Sequence, residues 1–201
     1  MKLYYSPGAC SLAPHIVLNE LGASYDIEKV DLAAKKTESG ADFTGVNSKG
    51  YVPTLELGKG EILTEVSTIL QYLADKAQNS SLLPAFGSMD RYRAMETLNF
   101  IASELHKGIG GLFNPAMPED GKKAIIDRVK RHLAWLDSEL AKKPYLLGEA
   151  YSVADAYAFT VLGWSKWVNL DLSPYAHIVA YLDRVGARPA VQAALKKEGL
   201  V

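Results

Sequence analysis

Strand-like segments in this chain end before residue 65, and from residue 88 onward the pattern is helical. That division constrains the fold more than any other feature. Alternating side chains line one face of a strand, whereas helical faces recur every 3 to 4 residues, so neither pattern can serve as the other. Lys2–Tyr5 is apolar and aromatic and is broken by Ser6-Pro7-Gly8. Ser11 to Leu21 carries Leu12, Ile16, Val17 and Leu21 at helical spacing and stops at Gly22. Tyr25 to Leu32 alternates as a second strand, and residues 33–50, polar and rich in Gly, Ser and Thr, predict a loop or a weak helix. Val52–Leu57, a turn at Gly58-Lys59-Gly60 and Glu61–Leu63 predict a hairpin. Ile69, Leu70, Tyr72 and Leu73 then mark a helix from Glu65 to Ala77. A βαβ unit followed by ββα implies a mixed sheet with helices on its faces.

The second part shows no strand pattern. Helices are predicted over 90–112, 119–140, 152–168 and 173–188, with a last short one from Pro189. The 152–168 segment is nearly all apolar, which argues burial on every side. The expected organisation is an α+β domain over 1–77, a linker over 78–87 containing Asn79-Ser80-Ser81 and Pro84, and an all-α domain over 88–201.

Composition excludes several functions. With 48% hydrophobic residues the chain can bury a large core, and a net charge of −1 offers no basic excess for nucleic acid. The pairs Lys122-Lys123 and Lys196-Lys197 read as solvated helix faces. No apolar run approaches the roughly 18–20 residues of a membrane span. The first residues enter a strand without a signal-peptide pattern. A single cysteine, Cys10, leaves no internal disulfide and no multi-cysteine metal cluster. A lone thiol fits a reducing compartment, and a cytoplasmic location is expected.

Five constellations could carry chemistry. Cys10 follows a strand and the turn Ser6-Pro7-Gly8-Ala9, at the start of the first helix. Unpaired N–H groups and partial positive charge there would stabilise a thiolate below the ordinary pKa of about 8.5, while the alternative is a small buried apolar residue. In Gly50-Tyr51-Val52-Pro53, the proline is either a cis bend, which leaves the Val52 N–H and C=O open to an extended ligand, or a trans residue at a strand edge. Thr64-Glu65-Val66-Ser67 forms a helix start, whose N–H groups offer an anion site beside Glu65 as an acceptor for a ligand ammonium, or where Thr64 is the N-cap with Ser67 in the first turn; both readings can hold together. Asn99, Ser103 and His106, with Lys107 beside them, share one helix face, as a cleft lining or a solvated stripe. Ser152 and Asp155 form a capping box with a folding role. His15, His132 and His177 read as surface or capping residues.

This ordered set resembles the glutathione transferase family, and Cys10 with His106 and Lys107 resembles its bacterial beta class. The elements that carry the likeness are Tyr4-Tyr5-Ser6-Pro7-Gly8-Ala9-Cys10-Ser11, Val52-Pro53, Glu65 ahead of Ile69-Leu70-Gln71-Tyr72-Leu73-Ala74-Asp75, and Ser152-Val153-Ala154-Asp155. The resemblance implies a thioredoxin-like first domain, a homodimer, and glutathione as co-substrate with no metal. Cys10 would meet the glutathione sulfur, with Tyr5 and Ser11 as further candidates for thiol activation. The Val52 backbone beside Pro53 would pair with the cysteinyl part. Glu65 and the Val66 amide would hold the γ-glutamyl end, and Lys35 the glycyl carboxylate. Val66 stands where many relatives carry a hydroxyl, so only its backbone donor remains, and Ser67 comes one position late. His106 and Lys107 would approach the sulfur from the helical domain, and Asn99 and Ser103 would reach the partner subunit's ligand.

Phe113, Trp164 and Trp167 are the expected walls for a small hydrophobic electrophile. The implied activity is conjugation of glutathione in detoxification. Two alternatives accompany it. One is Cys10-dependent thiol transfer, peroxide reduction or dehalogenation; the other is a non-catalytic binder on the same fold.

Overall fold

The computed structural model describes residues 1–58 and 60–201; the expected turn at Gly58-Lys59-Gly60 includes Lys59, which lies outside the described residues. The chain divides into two compact units, residues 1–78 with 188–201, and residues 79–187.

The first unit is built on a sheet of strands β1 (Lys2–Tyr5), β2 (Asp26–Asp31), β3 (Lys36–Thr37), β4 (Thr54–Gly58) and β5 (Glu61–Thr64), in the order β3-β2-β1-β4-β5. β1 and β2 are parallel, as a helical crossover requires, and every other pair is antiparallel. The crossover is α1 (Leu12–Glu20), where every residue from Leu12 to Leu18 is buried. Such a helix needs cover on more than one side. α3 (Val66–Lys76) and α9 (Pro189–Lys197) both pack on it.

The stretch 33–50, predicted as loop or weak helix, contains β3 and the short α2 (Phe43–Val46). Phe43 is fully buried with Tyr4, Val30 and Val52. One aromatic side chain therefore pins a polar segment to the sheet. Asp42 caps α2 by accepting from the Thr44 N–H.

The last helix corrects the expected domain division. Residues 188–201 belong to the first unit, not to the helical one. Arg188 donates to both carboxylate oxygens of Glu20, at 2.6 and 2.9 Å, and Asn19 donates to the Ala190 carbonyl. The paired guanidinium–carboxylate geometry ties the start of α9 to the end of α1.

The named elements of the second unit are all helical: α4 (Met89–Phe100), a π-helical turn (Ile101–His106), α5 (Lys107–Gly111), α6 (Glu119–Leu140), α7 (Val153–Gly163), a 3-10 turn (Trp164–Trp167) and α8 (Ala176–Gly186). The helix predicted over 90–112 is thus broken by a π turn, and that over 152–168 ends in a 3-10 turn. α7 is the buried one, with nine of its residues inaccessible, as its apolar sequence requires.

Its capping box is present: Asp155 accepts from the Ser152 N–H and hydroxyl, and also from the Leu146 N–H and the Tyr181 hydroxyl. Burial pushes the Asp155 carboxyl up from its ordinary value while these donors pull it down. Gly108 lets α5 approach α6 closely; a Cβ there would lie 2.6 Å from Val129 Cγ2. Among the described residues no helix is long and apolar enough to cross a membrane.

Candidate active site

The loop between β1 and α1 is held from two sides. From within, Ser11 Oγ accepts from the Ser6 N–H at 3.1 Å and donates to the Ser6 carbonyl at 3.3 Å. Ser11 is fully buried, so its hydroxyl is committed to the shape of the loop. From the C-cap of α9, Glu198 accepts the Gly8 N–H at 2.9 Å and meets His15 Nδ1 at 2.8 Å with its other oxygen. Gly8 has φ 71°, where a side chain would be strained. His15 and Glu198 are buried, which corrects the reading of His15 as a surface or capping residue. Its partner lies 183 positions away, beyond the reach of any local pattern.

Cys10 is half-buried, and Leu12 is the first residue of α1. The first-turn N–H groups of Leu12 and Ala13 bond to the carbonyls of Ala9 and Cys10. The helix start is therefore less open than its sequence position implied. Cys10 Sγ donates to the Val52 carbonyl at 3.2 Å. The Val52–Pro53 peptide is cis, which resolves the two readings of that dipeptide. Among the described residues no group accepts from the Val52 N–H.

The segment before Pro53 is pinned by polar side chains. Lys35 Nζ donates to the Gly50 carbonyl at 3.0 Å, and Asn47 Nδ2 donates to the Tyr51 carbonyl and to Thr54 Oγ1. The structure therefore brings Lys35, Val52, Pro53 and Cys10 together through consecutive contacts.

Glu65, not Thr64, occupies the N-cap position of α3, and its side chain makes no capping bond. Its φ is 71°, a left-handed conformation that costs a non-glycine residue about 1–3 kcal/mol and gathers at functional positions. The exposed carboxylate meets Lys49 Nζ at 3.0 Å. Val66 follows as the buried first residue of α3. Tyr5 is buried, and burial, with Glu38 and Glu198 nearby, pushes its phenol up from the ordinary value, which keeps it protonated.

In the helical unit the π turn separates residues expected on one face. A π turn takes more residues per revolution than an α turn, so positions beyond it rotate away from the α-helical register. Asn99, Ser103 and Lys107 are exposed, whereas His106 is half-buried with Nδ1 2.6 Å from the Tyr157 hydroxyl. Its ring also lies edge-on to Trp164 at 4.9 Å, and Trp164 lies edge-on to Phe113 at 5.9 Å. Trp164 is buried and Phe113 partly exposed. The Trp167 ring lies under the Lys166 ammonium. A cavity of about 680 Å³ in the same unit, lined in part by Phe100, Trp135, Leu136 and Leu146, contains none of the expected site residues. Tyr157, His15 and Glu198 are the residues the sequence did not single out; all three are buried partners of polar groups distant in the chain.

Residues 8–76 match the family model described as glutathione S-transferase, N-terminal domain, and residues 119–193 match the corresponding C-terminal domain. The chain is 45% identical over 200 residues to glutathione S-transferase GstA of Escherichia coli O157:H7, covering 100% of both. A sphingomonad glutathione S-transferase complexed with glutathione is 52% identical with a TM-score of 0.95, and covers 100% of both chains. A bacterial beta class glutathione S-transferase of Sphingomonas chungbukensis is 50% identical with a TM-score of 0.96, again over 100% of both chains.

Proposed function

The chain belongs to the glutathione S-transferase family, and on that premise we propose that it joins the sulfur of glutathione to small hydrophobic electrophiles with Cys10 at the reacting thiol. The contact between Cys10 Sγ and the Val52 carbonyl carries this reading. An extended tripeptide pairing with Val52 needs the same carbonyl as an acceptor. Its arrival displaces the Cys10 S–H, which then donates to the incoming sulfur. A donor at that point favours thiolate over thiol and so lowers the barrier to attack.

The remaining contacts follow ligand chemistry. Lys35 pairs with the glycyl carboxylate, and Glu65 with the γ-glutamyl ammonium beside the Val66 N–H at the start of α3. The strained backbone of Glu65 supports that role, since it holds a carboxylate in place without a capping bond. His106 and Lys107 assist the thiolate. Phe113, Trp164 and Trp167 form apolar surface for the electrophile. Tyr5 and Ser11 support the loop around Cys10, consistent with their burial and with the bonding of the Ser11 hydroxyl. The exposed Asn99 and Ser103 serve a homodimer, each reaching the partner's ligand. The lone cysteine fits a cytoplasmic location.

Retention on immobilised glutathione and conjugation of a generic aryl halide test the reading together. Absence of both defeats it.

The half-exposed thiol of Cys10 favours one second reading. Its thiolate attacks the glutathione sulfur of a mixed disulfide between glutathione and another thiol, expels that thiol as thiolate and becomes glutathionylated; a glutathione thiolate then attacks the new bond, which frees Cys10 and releases glutathione disulfide. Cys10→Ala separates the two, since conjugation survives in part and disulfide exchange vanishes.

A further inference from the structure

Glutathione carries two carboxylates and one ammonium, so a site that pairs every charge needs two cations and one anion. Lys35 answers the glycyl carboxylate and Glu65 the γ-glutamyl ammonium. The α-carboxylate beside that ammonium is left with one N–H, because Val66 brings no hydroxyl to the start of α3. A second cation already stands at this point. Lys49 Nζ donates to Glu65 Oε1 at 3.0 Å and to Thr64 Oγ1 at 3.1 Å.

The root of Lys49 is held by the buried Asn47. Asn47 Oδ1 accepts from the Lys49 N–H at 3.1 Å, and the Asn47 carbonyl accepts from the Gly50 N–H at 2.8 Å. Asn47 Nδ2 donates to the Tyr51 carbonyl, so one side chain fixes both Lys49 and the segment that leads to Val52 and Pro53. Lys49 then reaches across to the junction of β5 and α3. All of these residues belong to the first unit. An ammonium has three N–H groups; Thr64 and Glu65 take two, which leaves one to give. The Lys49 and Glu65 side chains are 51% and 70% exposed, so a ligand can reach both. An ion pair this exposed adds little to stability.

An α-amino acid head group has its ammonium and its carboxylate on one carbon. It is the charge complement of a carboxylate and an ammonium held side by side. We infer that Lys49 is a specificity-determining residue of the glutathione site: its ammonium binds the α-carboxylate of the γ-glutamyl head group while Glu65 binds the ammonium. Lys49 thereby supplies the donor that a hydroxyl at position 66 would have given. The inference rests on the glutathione site proposed above.

The test compares glutathione with 4-aminobutyryl-Cys-Gly, which keeps the ammonium and lacks the α-carboxylate. Dissociation constants are measured on the full chain by titration calorimetry at low salt, where exposed charges are least screened. The wild type should bind the analogue at least about tenfold more weakly than glutathione. Lys49→Met should weaken glutathione about tenfold, the effect of one charge-assisted hydrogen bond at a partly exposed site, and change the analogue by no more than about twofold.

Equal affinity of the wild type for the two ligands overturns the inference without any variant. Unchanged or tighter glutathione binding by Lys49→Met also overturns it, the tighter case meaning that Lys49 only competes with the ligand for Glu65. So does equal weakening of both ligands, the mark of a lysine that merely holds Glu65 or its own turn in place. A wild-type chain that binds no glutathione defeats the site itself, and the role of Lys49 with it.

Discussion

Replacing Gly108 by alanine should destabilise the helical unit in the native chain and stabilise it once Val129 is also alanine. The added Cβ would sit 2.6 Å from Val129 Cγ2, a separation that real Cβ atoms essentially never show. Val129 is fully buried on α6. A β-branched side chain in a helix has one strongly preferred rotamer, so the methyl cannot swing aside. The strain must be relieved by moving α5 from α6, and overpacking of this kind costs about 1–3 kcal/mol. Glycine to alanine inside a helix returns about 1 kcal/mol. The net loss in the single variant is therefore about 0–2 kcal/mol.

The change of sign is the stronger prediction. Val129→Ala removes both γ-methyls, and Gly108→Ala on that background should gain up to about 1 kcal/mol. The coupling between the two sites is then about 1–3 kcal/mol. Thermal midpoints of the four proteins measure it, at about 2–4 °C per kcal/mol for a chain of this size. Equal effects of Gly108→Ala in both backgrounds would refute the close-approach argument. Because His106 lies two residues before Gly108, the single variant should also lower conjugation, and Val129→Ala should restore part of it.

Asp155→Ala leaves four donors, from Leu146, Ser152 and Tyr181, without their shared buried acceptor. Each buried donor left unsatisfied costs about 1–3 kcal/mol, so a loss of several kcal/mol is expected, read as a fall in the urea midpoint. Glu198→Ala strips the acceptor from the Gly8 N–H and from His15. At about 1–3 kcal/mol for each unsatisfied group, a loss of about 2–6 kcal/mol is expected, with weaker retention on immobilised glutathione as the Cys10 loop loosens.

Lys2, hydrogen-bonded to Glu28 across the parallel strands, is raised to about 12 from an ordinary 10.5. A raised ammonium stabilises the folded state fully below pH 10.5 and ceases to do so as pH rises through about 12. The lysine is partly exposed, so the margin over Lys2→Met is at most about 1 kcal/mol, and melting curves should show it closing across that window.

Local pattern located most of the elements because burial of one face imposes a period on neighbouring residues. β1 was found to the residue, and α6 matched Glu119–Leu140 at both ends. The capping box at Ser152 and Asp155 needs only positions three apart, and it too was visible. Phe43 was not, because a single aromatic in a polar stretch has no period; its burial depends on Tyr4, Val30 and Val52. Thr64 met the chemistry of an N-cap, yet Glu65 takes that position with a left-handed backbone.

The sequence by itself determined the division into a mixed-sheet part and a helical part, the strand-turn-helix around Cys10, and the capping box at Ser152 and Asp155. These rest on interactions within about a dozen positions. The tertiary structure alone decided that residues 188–201 belong to the first unit, that Glu198 and His15 support the Cys10 loop, and that Tyr157 holds His106. Each depends on two groups far apart in the chain but adjacent in a buried interior, where an unpaired polar atom is too costly to leave. No local periodicity encodes which distant residue supplies the partner.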